Sequence, residues 1–430
     1  MRRITMLLAA LTVLVAACGD DAAPIAAGPG LVASDLTRET SAAPDEDLAA
    51  VSAAEQAFAA QLYRVLAVDE GNLVFYPLSI HLALAMALGG AGGETATEME
   101  AALQVPGLDA ERLHAALNAL DAVLESRNRT EPPIDDREQQ VQVSVINSMW
   151  GQEGFAFIDA YLDLLARNYG AGVRVVDFER AAEEARLAIN EWVAEQTNDR
   201  ITDLIPEGAV DELTRLVLVN AVYLDATWAS PFSHDATFDA PFTLLDGTEV
   251  SVATMHASLS ALYGRGEGWQ AIDLPYTGDE LSMLIVVPDE GRFAEIEALV
   301  ADGLLDEVRA SLGQSQVDLA LPKFEMRNQL SLVDALRALG MTAAFDPDLA
   351  DFTGISVEAQ LYVTDVIHEA FIAVDEDGTE AAAATAVFIG ETSMPVDVVA
   401  LDIDRPFLFF LQDRATGAVL FLGRVVNPTA

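Results

Sequence analysis

Lysine occurs once in the 430 residues, at Lys323, and cysteine once, at Cys18. A single thiol excludes an intrachain disulfide, so stability has to come from packing. Cations of any kind are scarce: 23 lysines and arginines stand against 69 acids, a formal net charge of −46. Such a chain repels a phosphate backbone, which excludes a general nucleic-acid binder, and it reads as a heavily solvated acidic surface. The hydrophobic fraction of 52% excludes a mostly disordered chain, and the length suffices for one large core.

Catalytic motifs are also missing. There is no Gly-x-Ser-x-Gly elbow, no His-Glu-x-x-His and no Walker loop. His368-Glu369 begins like a metalloprotease motif, but Ile372 stands where the second histidine belongs. Asp375-Glu376-Asp377-Gly378 begins like a calcium loop, but an alanine run replaces the later oxygen ligands. The histidines (His81, His114, His234, His256 and His368) are scattered and read as core or surface residues. Gly89-Gly90-Ala91-Gly92-Gly93 fails the dinucleotide spacing and reads as a turn after a helix. The chain is expected to be no enzyme and to carry neither metal nor cofactor.

What is present begins with an address. Arg2 and Arg3 precede an apolar run, 6–17, that is shorter than the roughly 20 residues a bilayer span needs. Val15-Ala16-Ala17 then offers the small residues of a secretory cleavage site, predicting a signal peptide over 1–17. Cys18, next in line, resembles the acylated cysteine of bacterial lipoproteins, which implies a lipid anchor and a membrane-tethered protein at the cell envelope or surface. An ordinary signal with an incidental cysteine is the alternative. Residues 18–47 are rich in Ala, Pro, Gly, Ser, Thr and acids and read as a lipidated N-terminus and flexible linker.

From residue 48 to 430 the pattern is that of one domain. Val51, Phe58, Leu62 and Val65 recur at helical spacing. Further helices are expected over 79–88, 94–103, 110–124, 157–168 and 181–197, with Glu131-Pro132-Pro133 breaking the chain between them. Strands are expected around 141–145 and over 216–223, 281–287, 317–321 and 361–374. Helices dominate the first half and strands the second without βαβ alternation, which predicts an α+β domain with largely antiparallel sheets.

The stretch 376–393 is ambiguous locally. Ala381, Ala382, Ala383 and Ala384 favour helix. Read as a strand, it puts Thr379, Ala381, Ala383 and Thr385 on one small, uncharged face, with Glu380 opposite. Such a face can enter a packed sheet without burying a charge.

Motifs along the chain decide between these readings. They include Asn72-Leu73-Val74-Phe75-Tyr76-Pro77-Leu78-Ser79, Ile146-Asn147-Ser148-Met149-Trp150 and Leu218-Val219-Asn220-Ala221-Val222-Tyr223 with Trp228. Leu321-Pro322-Lys323-Phe324, Asp351-Phe352-Thr353-Gly354, Arg405-Pro406-Phe407 and Phe421-Leu422-Gly423-Arg424 follow in order. Together, from Asn72 to Pro428, they resemble the serpins, a family of serine protease inhibitors. The resemblance implies helices packed around three largely antiparallel sheets and an exposed reactive-centre loop at about 376–398. It implies a suicide substrate: a protease attacks the loop, and the loop inserts into the central sheet before the acyl-enzyme is hydrolysed.

By the same resemblance, Glu376, Gly378, Thr379, Glu380 and Ala381 through Thr385 form the hinge. The scissile bond falls at Thr392-Ser393, with Glu391-Thr392 or Met394-Pro395 as fallbacks. Thirteen steps from Thr379 to Thr392 at about 3.3 Å make a strand of roughly 40 Å. Ser79, Asn220 and His368 match the polar cluster beneath the opening sheet, Trp228 the aromatic where the loop enters, and Lys323 with Glu376 an ion pair holding the hinge closed. Tyr76 departs from the usual serine. No Lys or Arg occurs between Thr379 and Asp404, which disfavours trypsin-like targets and suits elastase-like or subtilisin-like ones. The helices around 110–129 carry no basic stripe, so heparin is not an expected partner; the chain is expected to be a monomer. A non-inhibitory serpin that binds or scaffolds is the alternative, disfavoured by the small hinge residues.

Overall fold

The computed structural model describes residues 30–39, 43–68, 70–105, 107–134, 137–197, 199–357, 360–379 and 398–430. The helices are α1 (Asp45–Leu66), α2 (Pro77–Leu88), α3 (Gly93–Ala102), α4 (Ala110–Glu125), α5 (Asp159–Tyr169), α6 (Phe178–Gln196), α7 (Phe293–Ala298), α8 (Leu304–Ser311) and α9 (Val333–Ala338). The first six fall where the hydrophobic spacing predicts them. Acids fill the first turn of α1 and Arg64 its last, which suits the helix dipole. Helix α2 starts on Pro77, ends at Gly89 and is buried at all twelve positions, so it crosses the middle of the molecule.

The central sheet is built from β1 (Leu31–Val32), β3 (Arg129–Ile134), β4 (Arg137–Gln152), β5 (Val173–Val176), β6 (Leu216–Thr227), β12 (Phe324–Ser331), β13 (Asp365–Val374) and β14 (Gly378–Thr379). Its order is β1-β5-β4-β6-β14-β13-β12, with β3 on β4 and a further pairing of β6 with β13. The second sheet contains β2 (Leu73–Phe75), β7 (Thr237–Thr243), β8 (Glu249–Gly266), β9 (Trp269–Pro275), β10 (Leu281–Pro288), β11 (Gly313–Pro322), β15 (Val398–Asp402), β16 (Phe407–Asp413) and β17 (Val419–Val425). Its order is β15-β11-β8-β9-β10-β16-β17-β2, with β7 on β8. The 18-residue β8 pairs β7 and β11 along most of its length and β9 at its end, so it joins two smaller sheets into one. Most pairings are antiparallel; β4–β5, β6–β13 and β11–β15 are parallel.

Both faces of the central sheet are covered. The even-numbered residues Leu216, Leu218, Val222, Leu224 and Ala226 of β6 join the main core, which includes α2. Val217, Val219 and Ala221 join a second core with Ile189 and Val193 of α6 and with Ile201, Leu204 and Ile205 after it. A strand buried on both faces reads as a continuous apolar run, which is why β6 shows no alternation. Two expectations are corrected. Glu131-Pro132-Pro133 does not break the chain but lies in the edge strand β3, at an irregularity in its pairing with β4, a place that tolerates proline. The strand expected from 361 begins at Asp365. The expected signal, Cys18 and the alanine run lie outside the described residues, as does half of the expected linker; its described half is not all linker, because β1 pairs with β5 and α1 begins at Asp45. Among the described residues no helix is long and apolar enough to cross a membrane.

Glu55 on α1 is fully buried, accepting the Val419 amide at 3.0 Å. Burial raises its carboxyl to about 8, with Val419 and the Arg309 charge pulling the other way. Between the ordinary carboxylate range and that value the folded chain holds a proton that the unfolded chain has lost, so stability falls as pH rises. We expect a loss of up to about 1.4 kcal/mol per pH unit between pH 5 and 8 from this group. Glu55→Gln should remove that slope in denaturant titrations and be the more stable protein at pH 9.

Candidate functional site

The central sheet has an opening. Strands β6 and β13 pair directly only from Asp365↔Val217 to Ala370↔Val222. Beyond that they part, and β14 enters between them: Thr379 lies opposite Ala226 on one side and Val374 on the other, and Gly378 opposite Thr227. Between the two pairings, residues 223–225 and 371–373 meet no strand on their facing sides among the described residues. The expected hinge residues Gly378 and Thr379 are therefore already inside the sheet at its open end.

The entry point is tightly specified. A Cβ on Gly378 would sit 2.1 Å from the Ala226 carbonyl oxygen, so only glycine passes here. The turn before it closes with the Asp375 amide donating to the Gly378 carbonyl at 2.9 Å. Trp228 backs this turn. Its ring stacks on Tyr276 at 4.5 Å, its indole N–H donates to the Asp375 carbonyl at 3.0 Å, and its amide donates to the Asp377 carbonyl at 2.9 Å. The Tyr276 and Thr379 hydroxyls hydrogen-bond at 2.6 Å.

Lys323 Nζ lies 2.6 Å from Glu376 Oε2. Burial pushes the Glu376 carboxyl up, but hydrogen bonds from Lys323 and Thr237 outweigh it and hold the group below the usual carboxylate range. The pair was expected to hold the hinge closed; the turn it grips is one that already carries Gly378 and Thr379 between the strands. Its geometry is that of a clasp on an entered hinge.

A second polar cluster pins the sheet where β6 and β13 still pair. Asn147, Asn220 and His368 lie abreast on β4, β6 and β13. Asn220 Nδ2 donates to Ser79 Oγ and Asn147 Oδ1, and Ser79 donates to Asn147 at 3.0 Å. The Tyr76 amide donates to His368 Nε2 at 3.1 Å, which leaves His368 Nδ1 to donate to Asn220 Oδ1. Burial lowers the His368 imidazole to about 3, so it is neutral at ordinary pH. Tyr76 joins through its backbone; its side chain packs edge-on against Phe421, and its hydroxyl has no hydrogen-bond partner among the described residues.

Ser79, Asn220 and His368, expected together, are together, as are Trp228, Lys323, Glu376, Gly378 and Thr379. Asn147 and Tyr276 were not singled out. Asn147 stood within a motif, but its role follows from a register that links it to Asn220, 73 residues away. Glu380, Ala381, Ala382, Ala383, Ala384, Thr385 and the bond Thr392-Ser393 lie outside the described residues. No group of three or more potential metal ligands occurs among the described residues. Asn220→Ala should take one hydrogen bond from each of Ser79, Asn147 and His368 at once and lower stability by about 2–4 kcal/mol, read from the thermal unfolding midpoint.

The family model described as serpin (serine protease inhibitor) matches residues 53–428. An uncharacterized serpin-like protein of Thermococcus kodakarensis is 38% identical over 373 residues, covering 86% of this chain and 84% of its own. Human leukocyte elastase inhibitor is 33% identical over 389 residues, covering 88% of this chain and 99% of its own. The native-state structure of tengpin, a thermophilic serpin, superimposes with a TM-score of 0.79 at 28% identity, over 91% of this chain and 97% of that one. Serpins are typically protease inhibitors. With the match spanning nearly the whole domain, the chain belongs to the serpin family.

Proposed function

We propose that the protein inhibits serine proteases as a suicide substrate, through insertion of the loop after Thr379 into the central sheet. The observation that carries this reading is β14: the chain has already turned in between β6 and β13, facing a stretch of both strands that is unpaired there among the described residues. In the reaction, the protease serine attacks the carbonyl carbon of Thr392. The bond to the Ser393 nitrogen breaks, that amine takes its proton from the protease's own histidine, and Thr392 remains as an ester on the protease. Insertion then competes with hydrolysis of the ester.

The driving force is the ladder of the added strand. Roughly ten backbone hydrogen bonds at about 1 kcal/mol net each give on the order of 10 kcal/mol, comparable to the whole stability of an ordinary domain. The small face of Thr379, Ala381, Ala383 and Thr385 suits that entry, and a loop without Lys or Arg suits proteases with small, apolar specificity pockets. Export with a lipid on Cys18 places the inhibitor at the bacterial cell envelope or surface in this reading.

Mixing the protein with pancreatic elastase or subtilisin should give an adduct stable in SDS and a released peptide beginning at Ser393. Thr379→Arg puts a charge on the inserting face; it should be cleaved at the wild-type rate while adduct yield falls at least about tenfold. An unchanged yield in that variant sinks the insertion mechanism. Cys18→Ser should abolish fatty-acyl labelling and release the protein from membranes.

A further inference from the structure

We infer that His234 is a positioning residue of the hinge: with Lys323 it clasps the carboxylates of Glu376 and Asp377 and holds β14 in the sheet. This rests on the reading of β14 as the start of the inserting strand. The serpin motifs in the sequence do not include His234.

His234 opens a short 3₁₀ turn, His234–Ala236, just after the Trp228–Phe232 segment that backs the hinge. That segment is bound to the hinge through its backbone, the Trp228 amide donating to the Asp377 carbonyl and the Phe232 amide to the Glu376 carbonyl at 2.8 Å. The imidazole adds a side-chain bridge. Its Nε2 lies 3.2 Å from Asp377 Oδ2 and its Nδ1 3.5 Å from Glu376 Oε2, the oxygen that also faces Lys323. The charged groups around it are Glu376 and Asp377 on the hinge, Lys323 behind Glu376, and Asp235 beside it in its own turn.

A neutral imidazole has one N–H. It can donate to Asp377 while its other nitrogen turns a lone pair toward Glu376, or the reverse; one of the two contacts is always acceptor against acceptor. The second proton makes both contacts donor to acceptor and brings the cluster from two carboxylates and one cation to two and two. The carboxylates are nearly buried, with side-chain exposures of 4% and 5%, so the change acts at short range where water screens little. The clasp therefore tightens with the number of N–H groups that His234 turns toward the two carboxylates, Glu376 being held below the usual carboxylate range.

Hydrogen exchange on the full chain, corrected for intrinsic rates, reads this without any protease. In His234→Asn, protection of the Trp228, Phe232 and Thr379 amides should fall about threefold to tenfold, with Leu284 in β10 as the unchanged reference. His234→Arg, which offers donors to both carboxylates, should restore the protection to the wild-type value or above. Equal protection in the wild type and His234→Asn overturns the proposal, as does a His234→Arg protein no better protected than His234→Asn. A protein with the expected profile that fails to trap any protease keeps the clasp and loses the inhibitory reading instead.

Discussion

Everything near the candidate site depends on how little holds β6 and β13 together. Six residue pairs join them, Asp365↔Val217 to Ala370↔Val222, and beyond these pairs the strands diverge. An interior sheet can stay open in this way only if something else supports it at that point. Here the support is lateral and from beneath: eleven residues of β6 pair with β4, β13 pairs with β12 over eight, and α2 lies under the pinned region with Ser79 in the polar cluster. The outer face is closed by α6 and the segment after it. Asn190 exchanges two hydrogen bonds with the Ile205 backbone, at 2.8 and 2.9 Å, and Gln329 of β12 holds the Asp203 and Leu204 carbonyls at 2.8 Å. The opening is thus a defect inside a well-braced frame.

The scarcity of cations makes their placement informative. Arg127 pairs with the fully buried Asp413, Arg327 with the buried Glu369, Arg424 with Glu297 and Lys323 with Glu376. Breaking a buried pair leaves a desolvated charge, which costs far more than losing a surface pair. A chain with 23 cations for 69 acids has put several of them where an unpaired carboxylate would be most damaging, and left much of the acidic surplus to solvent. The lone lysine is in this set, paired at the turn that leads into β14.

The sequence made the helices legible because α1, α4 and α5 each present one apolar stripe, and the serpin motifs made the family legible because they keep their order over some 350 residues. Strands were harder. β6 and β13 are buried on both faces and look like undirected apolar runs, whereas β12, with Glu325, Arg327 and Gln329 facing outward, has too few apolar residues to stand out. The site divides along the same line. Ser79, Asn220 and His368 could be carried over from motifs. Asn147, Tyr276 and His234 could not, because what matters about them is a register or a contact made by segments 70 to 150 residues apart.

The register of β14 constrains how the proposed insertion would proceed. Thr379 opposes Ala226 and Val374 in antiparallel pairings, so each further residue inserted would move one position down both strands. Glu380, Ala381 and Ala382 would come opposite 225–223 and 373–371, the stretch where no β6–β13 pair has to be broken. Ala383 would be the first to compete with an existing pair, at Val222 and Ala370, and Thr385 would arrive between Asn220 and His368. The same register settles which way the side chains would point. Even-numbered β6 residues face the main core, so Thr379, Ala381, Ala383 and Thr385 would face it too, and Glu380 would face outward. The barrier to insertion would then begin not at the entrance but at Ala383, four residues past Thr379, and six residues past it the polar pin must exchange its hydrogen bonds. A threonine, with a donor and an acceptor on a small side chain, is the residue that would reach the pin.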